Sequence, residues 1–185
     1  HELRSPLTVI KIASSALAKN EALDSETEIS VKRIRRAAQD MEELTEVLLH
    51  LAREYEGAMI KEIVFVNDVV KQELNSCKLI FEEKKLALQL EEKAELRVAT
   101  SSKIVAIVMG NLLRNACSYT DSGSVTVTID RDRVAIKDSG KGMTREHLDD
   151  VLKPEFNPKH AQGYGIGLNL VRRITDRFGW SIEFD

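Results

Sequence analysis

Glycine is absent from the first 56 residues, which hold a single proline, and all nine glycines fall from Gly57 onward. A stretch without glycine can run as long helices, whereas glycines supply the turns and close approaches that a mixed fold needs. The partition predicts a helical N-terminal unit followed by a mixed domain. In the first unit Ile34, Ala37, Met41, Leu44, Leu48, Leu51 and Tyr55 recur at alternating steps of three and four. This is a heptad seam, and it ends at Gly57. Leu3, Leu7, Ile10 and Leu17 mark a shorter helix before it. The polar stretch from Asn20 to Ser25 makes the turn, with Asp24 or Ser25 as the cap and Glu28 in the first turn. Two amphipathic helices of this length cannot bury both apolar faces alone. Pairing of two copies into a four-helix bundle closes the core; packing of the hairpin on the rest of its own chain is the alternative.

Beyond Glu62 the pattern changes. Ile63 to Val66 reads as a short strand, with Asn67 capping the helix that follows. Leu86 to Leu90 and Leu96 to Ala99 read as strands, and Ser102 to Ser118 as a helix with Ile104, Ile107, Val108, Leu112 and Leu113 near one face. Val125, Val127 and Ile129 alternate with threonine, and Val134 and Ile136 continue after a turn at Asp130 to Asp132, which predicts a hairpin with one buried face. A last helix covers Leu168 to Phe178, and Ile182 and Phe184 begin a final strand. The fold class is therefore α+β: a helical hairpin, then an α/β sandwich.

Composition narrows the function. The net charge of -3 argues against a nucleic-acid partner held by bulk phosphate attraction. The basic run Lys32 to Arg36 has acidic residues close by and reads as a solvated helix face. Cys77 and Cys117 lack metal-type spacing and read as reduced thiols. No apolar run reaches the roughly 18 residues that span a bilayer, and no signal peptide is visible. The chain opens on His rather than Met, so it is expected to be a fragment whose upstream membrane segments lie elsewhere.

Four motifs carry chemistry. His1-Glu2-Leu3-Arg4-Ser5-Pro6-Leu7 places an imidazole, largely neutral at pH 7, next to a carboxylate. Glu2 can hold or deprotonate one ring nitrogen and sharpen the other as a nucleophile. Ser5 lies four residues on, hence on the same helical face, and Pro6 bends the helix just past the site. Asn111 and Asn115 are one helical turn apart and suit amide oxygens on a hydrated Mg²⁺ between phosphates; two polar residues on an apolar helix are the alternative. Asp138, at a strand end in Asp138-Ser139-Gly140-Lys141-Gly142, can accept from an exocyclic amine, while Gly140 and Gly142 admit a flat ring. Gly163-Tyr164-Gly165-Ile166-Gly167-Leu168 opens a helix whose free N–H groups form an anion site. No strand runs straight into it, so a dinucleotide-binding loop is a weak reading.

In this order, with these gaps, the four motifs resemble those of sensor histidine kinases of two-component systems, over nearly the whole chain. The resemblance implies a dimerisation and histidine-phosphotransfer domain at residues 1–57. It also implies a Bergerat-type catalytic ATP-binding domain at 61–185, lacking the last glycine motif and strand. By position, His1 is then the phosphoacceptor, Glu2 its acid–base partner, and Asn111 and Asn115 the phosphate and Mg²⁺ residues. Tyr119 stacks near the adenine, Asp138 binds its amine, and Gly140 and Gly142 shape the base pocket. Gly163, Gly165, Gly167 and Leu168 border the phosphates, and Phe156 matches the lid phenylalanine of a segment at about 149–162. The implied activity is ATP-dependent autophosphorylation on His1 and transfer to a response-regulator aspartate.

ATP and Mg²⁺ are the implied cofactors; a homodimer and a receiver domain are the implied partners. The implied location is the cytoplasmic portion of an inner-membrane sensor. The family commonly has a basic residue where this chain has Ser118, and Arg114, Lys159 and His160 are candidate replacements. Ser5 stands where a regulator-phosphatase activity would use Thr or Asn. A nucleotide-sensing scaffold and a gyrase- or chaperone-like ATPase are the rival readings, and the His1 hairpin disfavours the second.

Overall fold

The computed structural model describes residues 62–144 and 165–184, together with residues 7, 10, 12–15, 17, 27, 30, 31, 34, 35, 37–39, 41, 42 and 45. The chain forms two compact units, His1–Met59 and Ile60–Asp185.

Every described residue of the first unit is helical. Leu7 and Ser14 are buried, as are Val31 and Ala38. Each pair is seven residues apart, two full turns on one face. A second pair of stripes at the same spacing faces outward. Ile10 and Leu17 are 42% and 49% exposed, and Ile34 and Met41 are 47% and 49% exposed. The predicted heptad seam is thus displaced from the face that a single chain buries. Ile34, Ala37 and Met41 lie on the open side, while Leu44, Leu48, Leu51, Tyr55 and Gly57 lie outside the described residues.

In the second unit, strand β1 (Glu62–Phe65) leads into helix α1 (Val66–Lys84), then β2 (Ala87–Glu92), β3 (Arg97–Thr100), helix α2 (Ser102–Tyr119), β4 (Ser124–Ile129), β5 (Val134–Asp138) and helix α3 (Gly165–Phe178). β1 and β3 pair antiparallel. β4 lies between β2, with which it is parallel, and β5, with which it is antiparallel. The predicted alternation holds: Val125, Val127 and Ile129 are fully buried, and the intervening Ser and Thr are half-exposed. Val70, Leu74, Cys77 and Phe81 of α1 join Val105, Leu113 and Cys117 of α2 over this face in one apolar core. Each Å² of apolar surface that this layer removes from water contributes roughly 25 cal/mol to the unit's stability. α3 packs on α2.

Four local expectations are corrected. Val66 begins α1 rather than ending β1, and Asn67 does not cap that helix. The cap position is Phe65, which makes no side-chain cap bond. Asn67 sits in the first turn and reaches across the fold, accepting from Leu96 N at 3.0 Å and donating to Glu92 and to Ala94 O at 2.9 and 3.1 Å. Residues 180–184 form no strand: Ile182 and Phe184 alternate as strand residues do but make no ladder among the described residues. α3 starts three residues earlier than expected, at Gly165.

Candidate functional site

The predicted base-pocket residues converge where α2 ends and β5 ends. Ser101 caps the start of α2, its hydroxyl accepting from Lys103 N at 3.2 Å. The helix then carries Asn111, Asn115 and Tyr119 at successive four-residue steps along one stripe. Thr120, fully buried, leaves the helix in extended conformation. Its hydroxyl donates to Ala116 O at 2.7 Å and lies 3.4 Å from Asp138 Oδ1. Gly140 N donates to the same carboxylate oxygen at 2.9 Å. Asp138 is exposed. One of its oxygens is therefore fixed by the Gly140 N–H, with the Thr120 hydroxyl oxygen beside it, while the side chain still faces water, an acceptor held ready for an external donor.

The glycines of this loop serve different ends. A β-carbon on Gly140 would collide with Tyr119 O and would lie 2.7 Å from Asp138 Oδ1, so the backbone approach closes only with hydrogen there. Gly142 has open space around it but a φ of +68°, which L side chains rarely adopt. Lys141 stands over the Tyr119 ring, 5.8 Å from its centroid. Tyr119, Thr120, Asp138, Gly140 and Lys141 thus form one constellation.

The two asparagines differ in access. Asn111 is fully buried, and its amide donates to Ile107 O at 2.9 Å, one turn back. Asn115 is half-exposed. Gly165 and Gly167 fall inside the first turn of α3, whose leading N–H groups lack intrahelical partners; Gly167 and Leu168 are buried. His1, Glu2, Ser5, Phe156 and Gly163 lie outside the described residues, as do Lys159 and His160. Arg114 does not reach toward the Ser118 position. Its guanidinium lies beside Gly110 with the Glu73 carboxylate, against α1.

Two features were missed at the sequence level. Lys84, in the last turn of α1, donates to Cys117 O, Ser118 O and Thr120 O at 2.9, 3.0 and 3.1 Å, with Asp121 at 3.6 Å. Cys77 and Cys117 meet between α1 and α2 as buried free thiols. A hydrogen bond from Cys117, helped by the Arg114 charge, lowers the Cys77 thiol against the pull of burial. The same bond and burial push Cys117 up. No metal-type cluster of His, Cys, Asp or Glu occurs among the described residues. No helix among them is long and apolar enough to cross a membrane.

The family model of the His Kinase A (phospho-acceptor) domain matches residues 1–57. The model of the histidine kinase-, DNA gyrase B-, and HSP90-like ATPase matches residues 100–185 and implies use of ATP. The chain is 26% identical over 190 residues to sensor protein QseC of Escherichia coli strain K12, covering 100% of this chain and 42% of that protein. It is 29% identical over 191 residues to sensor histidine kinase ZraS of Klebsiella oxytoca, covering 99% and 40%. The solved cytoplasmic segment of histidine kinase QseC superposes with a TM-score of 0.56 at 21% identity, over 77% of this chain and 81% of that one. The chain thus spans about two fifths of the length of the curated relatives it matches. With a phospho-acceptor domain followed by an ATPase domain, and relatives matched across both, the chain belongs to the sensor histidine kinase family.

Proposed function

We propose that this chain is the kinase core of a two-component sensor: residues 1–57 dimerise and carry the phosphoacceptor His1, and residues 61–185 bind ATP and deliver its γ-phosphoryl group. The observation that carries the reading is the Asp138 carboxylate, held on one oxygen by Gly140 N, with the Thr120 hydroxyl beside it, and open to solvent. In that position it accepts from the exocyclic amine of adenine, and the Tyr119 ring covers the base beside Lys141. The first-turn N–H groups of α3, at Gly165 and Gly167, face the phosphates, and the family resemblance assigns Gly163 and Leu168 to the phosphate border and Phe156 to the lid. Bound Mg²⁺ would neutralise triphosphate charge, held through Asn115, which has solvent access, with the buried Asn111 behind it.

His1 attacks the γ-phosphorus as the bond from that phosphorus to the β,γ-bridging oxygen breaks and ADP leaves, while Glu2 orients the ring and accepts the proton of its other nitrogen. The phosphohistidine then passes its phosphoryl group to a receiver-domain aspartate. The exposed stripe of Ile10, Leu17, Ile34 and Met41 supports a second copy as the partner of this hairpin, because a four-helix bundle covers such a surface. The solved QseC segment is named a cytoplasmic one, and that supports a cytoplasmic setting for this chain, which the family resemblance extends to the cytoplasmic portion of an inner-membrane sensor. Incubation with γ-labelled ATP and Mg²⁺ is expected to yield acid-labile label in the wild type and background in His1→Gln. Equal labelling of the two would overturn the assignment.

A further inference from the structure

We propose that Lys84, on a different helix and far away in sequence, is a positioning residue that sets the base-reading carboxylate of the nucleotide site; this rests on the adenine assignment of Asp138. The last turn of α2 carries no basic residue. The terminal carbonyls of a helix lack intrahelical partners and gather partial negative charge. Lys84 answers both needs from α1. An ammonium has three protons, and three carbonyls, of Cys117, Ser118 and Thr120, lie within 3.1 Å of it.

These carbonyls bracket the turn that carries the site. Tyr119 O is the atom that excludes a side chain at Gly140, and Thr120 Oγ1 is the neighbour of Asp138 Oδ1. Fixing Thr120 by its carbonyl fixes where its hydroxyl stands, and hence which way the carboxylate turns. The Lys84 ammonium makes its own bonds to backbone only, and its ion pair is with Asp121, whose side chain is 94% exposed and adds little. Lys84 therefore acts through the Tyr119–Thr120 turn, not on the nucleotide.

Adenine and guanine differ at the group Asp138 is assigned to read, so the ATP-to-GTP affinity ratio reports its aim. A ratio is also insensitive to how much of a sample is folded. Competition binding on the whole chain is expected to show about a tenfold loss of that ratio in Lys84→Met, with autophosphorylation at saturating ATP within about twofold of wild type. Lys84→Arg, which keeps the charge but fits a planar fork to three carbonyls, should lie between, and it carries the test if Lys84→Met yields no folded protein. In Asp138→Asn the ratio should collapse, and adding Lys84→Met should change it no further, because the two residues act through one contact. Wild-type ratios in both Lys84 variants, or losses that simply add to that of Asp138→Asn, overturn the inference while leaving the adenine assignment standing. A wild-type ratio in Asp138→Asn overturns the adenine assignment itself.

Discussion

Asn67 and Asp138 are both polar side chains next to a strand end, and both are held by hydrogen bonds, yet they finish in opposite conditions. Asn67 is 8% exposed and uses both ends of its amide: the oxygen accepts from Leu96 N, and the nitrogen donates to Glu92 and Ala94 O. The network closes on itself, and Lys71 completes it with an ion pair to Glu92 at 2.9 Å. Asp138 is fixed on one oxygen and open on the rest. A satisfied polar group fastens structure, while a fixed and unsatisfied one waits for a ligand. The cleft over Asn67, lined by Phe65, Asp68, Lys71 and Glu92, is on that ground part of the fold and not a second site.

The comparison breaks most readily at Asp138. Asp138→Asn should weaken ATP binding by about 100-fold, the effect of losing a charge-assisted hydrogen bond, and leave the melting temperature where it was. Calorimetric titration would read the first and a thermal melt the second; unaltered ATP affinity would put the base elsewhere. Asn67→Ala should do the reverse. Losing its three bonds and stranding the Leu96 N–H should cost about 2 kcal/mol in urea unfolding, with ATP affinity intact. A drop in affinity without a drop in stability would make the Asn67 cleft a site after all.

The smallest effect is one of pH. The hydrogen bond from Asn67, and then that from Lys71, hold the Glu92 carboxyl below its ordinary 4.5. A carboxyl lowered in the folded state stabilises the fold above the unfolded value and loses that contribution as pH falls through the folded one. Urea midpoints should therefore decline below about pH 4.5, and more shallowly in Asn67→Ala. Parallel declines in both proteins would assign the acid sensitivity to other carboxyls.

What was readable in the sequence follows the span of each contact. The β4 alternation, the α2 face and the Asp138–Gly140 pairing all lie within a few residues, and a local window captures them. Asn67 looked like a cap because it follows a strand, but its partners stand 25 to 29 residues away. Lys84 bonds across 33 to 36 residues, and nothing near it in the chain announces that. Ile182 and Phe184 misled in the other direction, since alternation predicts a strand only where a partner strand is available to pair with it. The two asparagines were correctly spaced along α2, but periodicity could not foresee that α2 would bury one and leave the other half-open.

The β4–β5 pairing turns over the four residues 130–133, whereas the parallel pairing of β2 with β4 joins Ala87 to Ser124. Closing the longer loop costs more chain entropy, and non-local pairings form later. In kinetic terms, Asp138 belongs to an element that can assemble early, while Lys84 arrives only when α1 and α2 dock. The newly made chain is therefore expected to acquire its carboxylate before it acquires the aim of that carboxylate. In refolding followed by Trp180 fluorescence and by a fluorescent ATP analogue, nucleotide binding should lag behind burial of the tryptophan. Binding as fast as the earliest secondary structure would mean that the site needs no such completion.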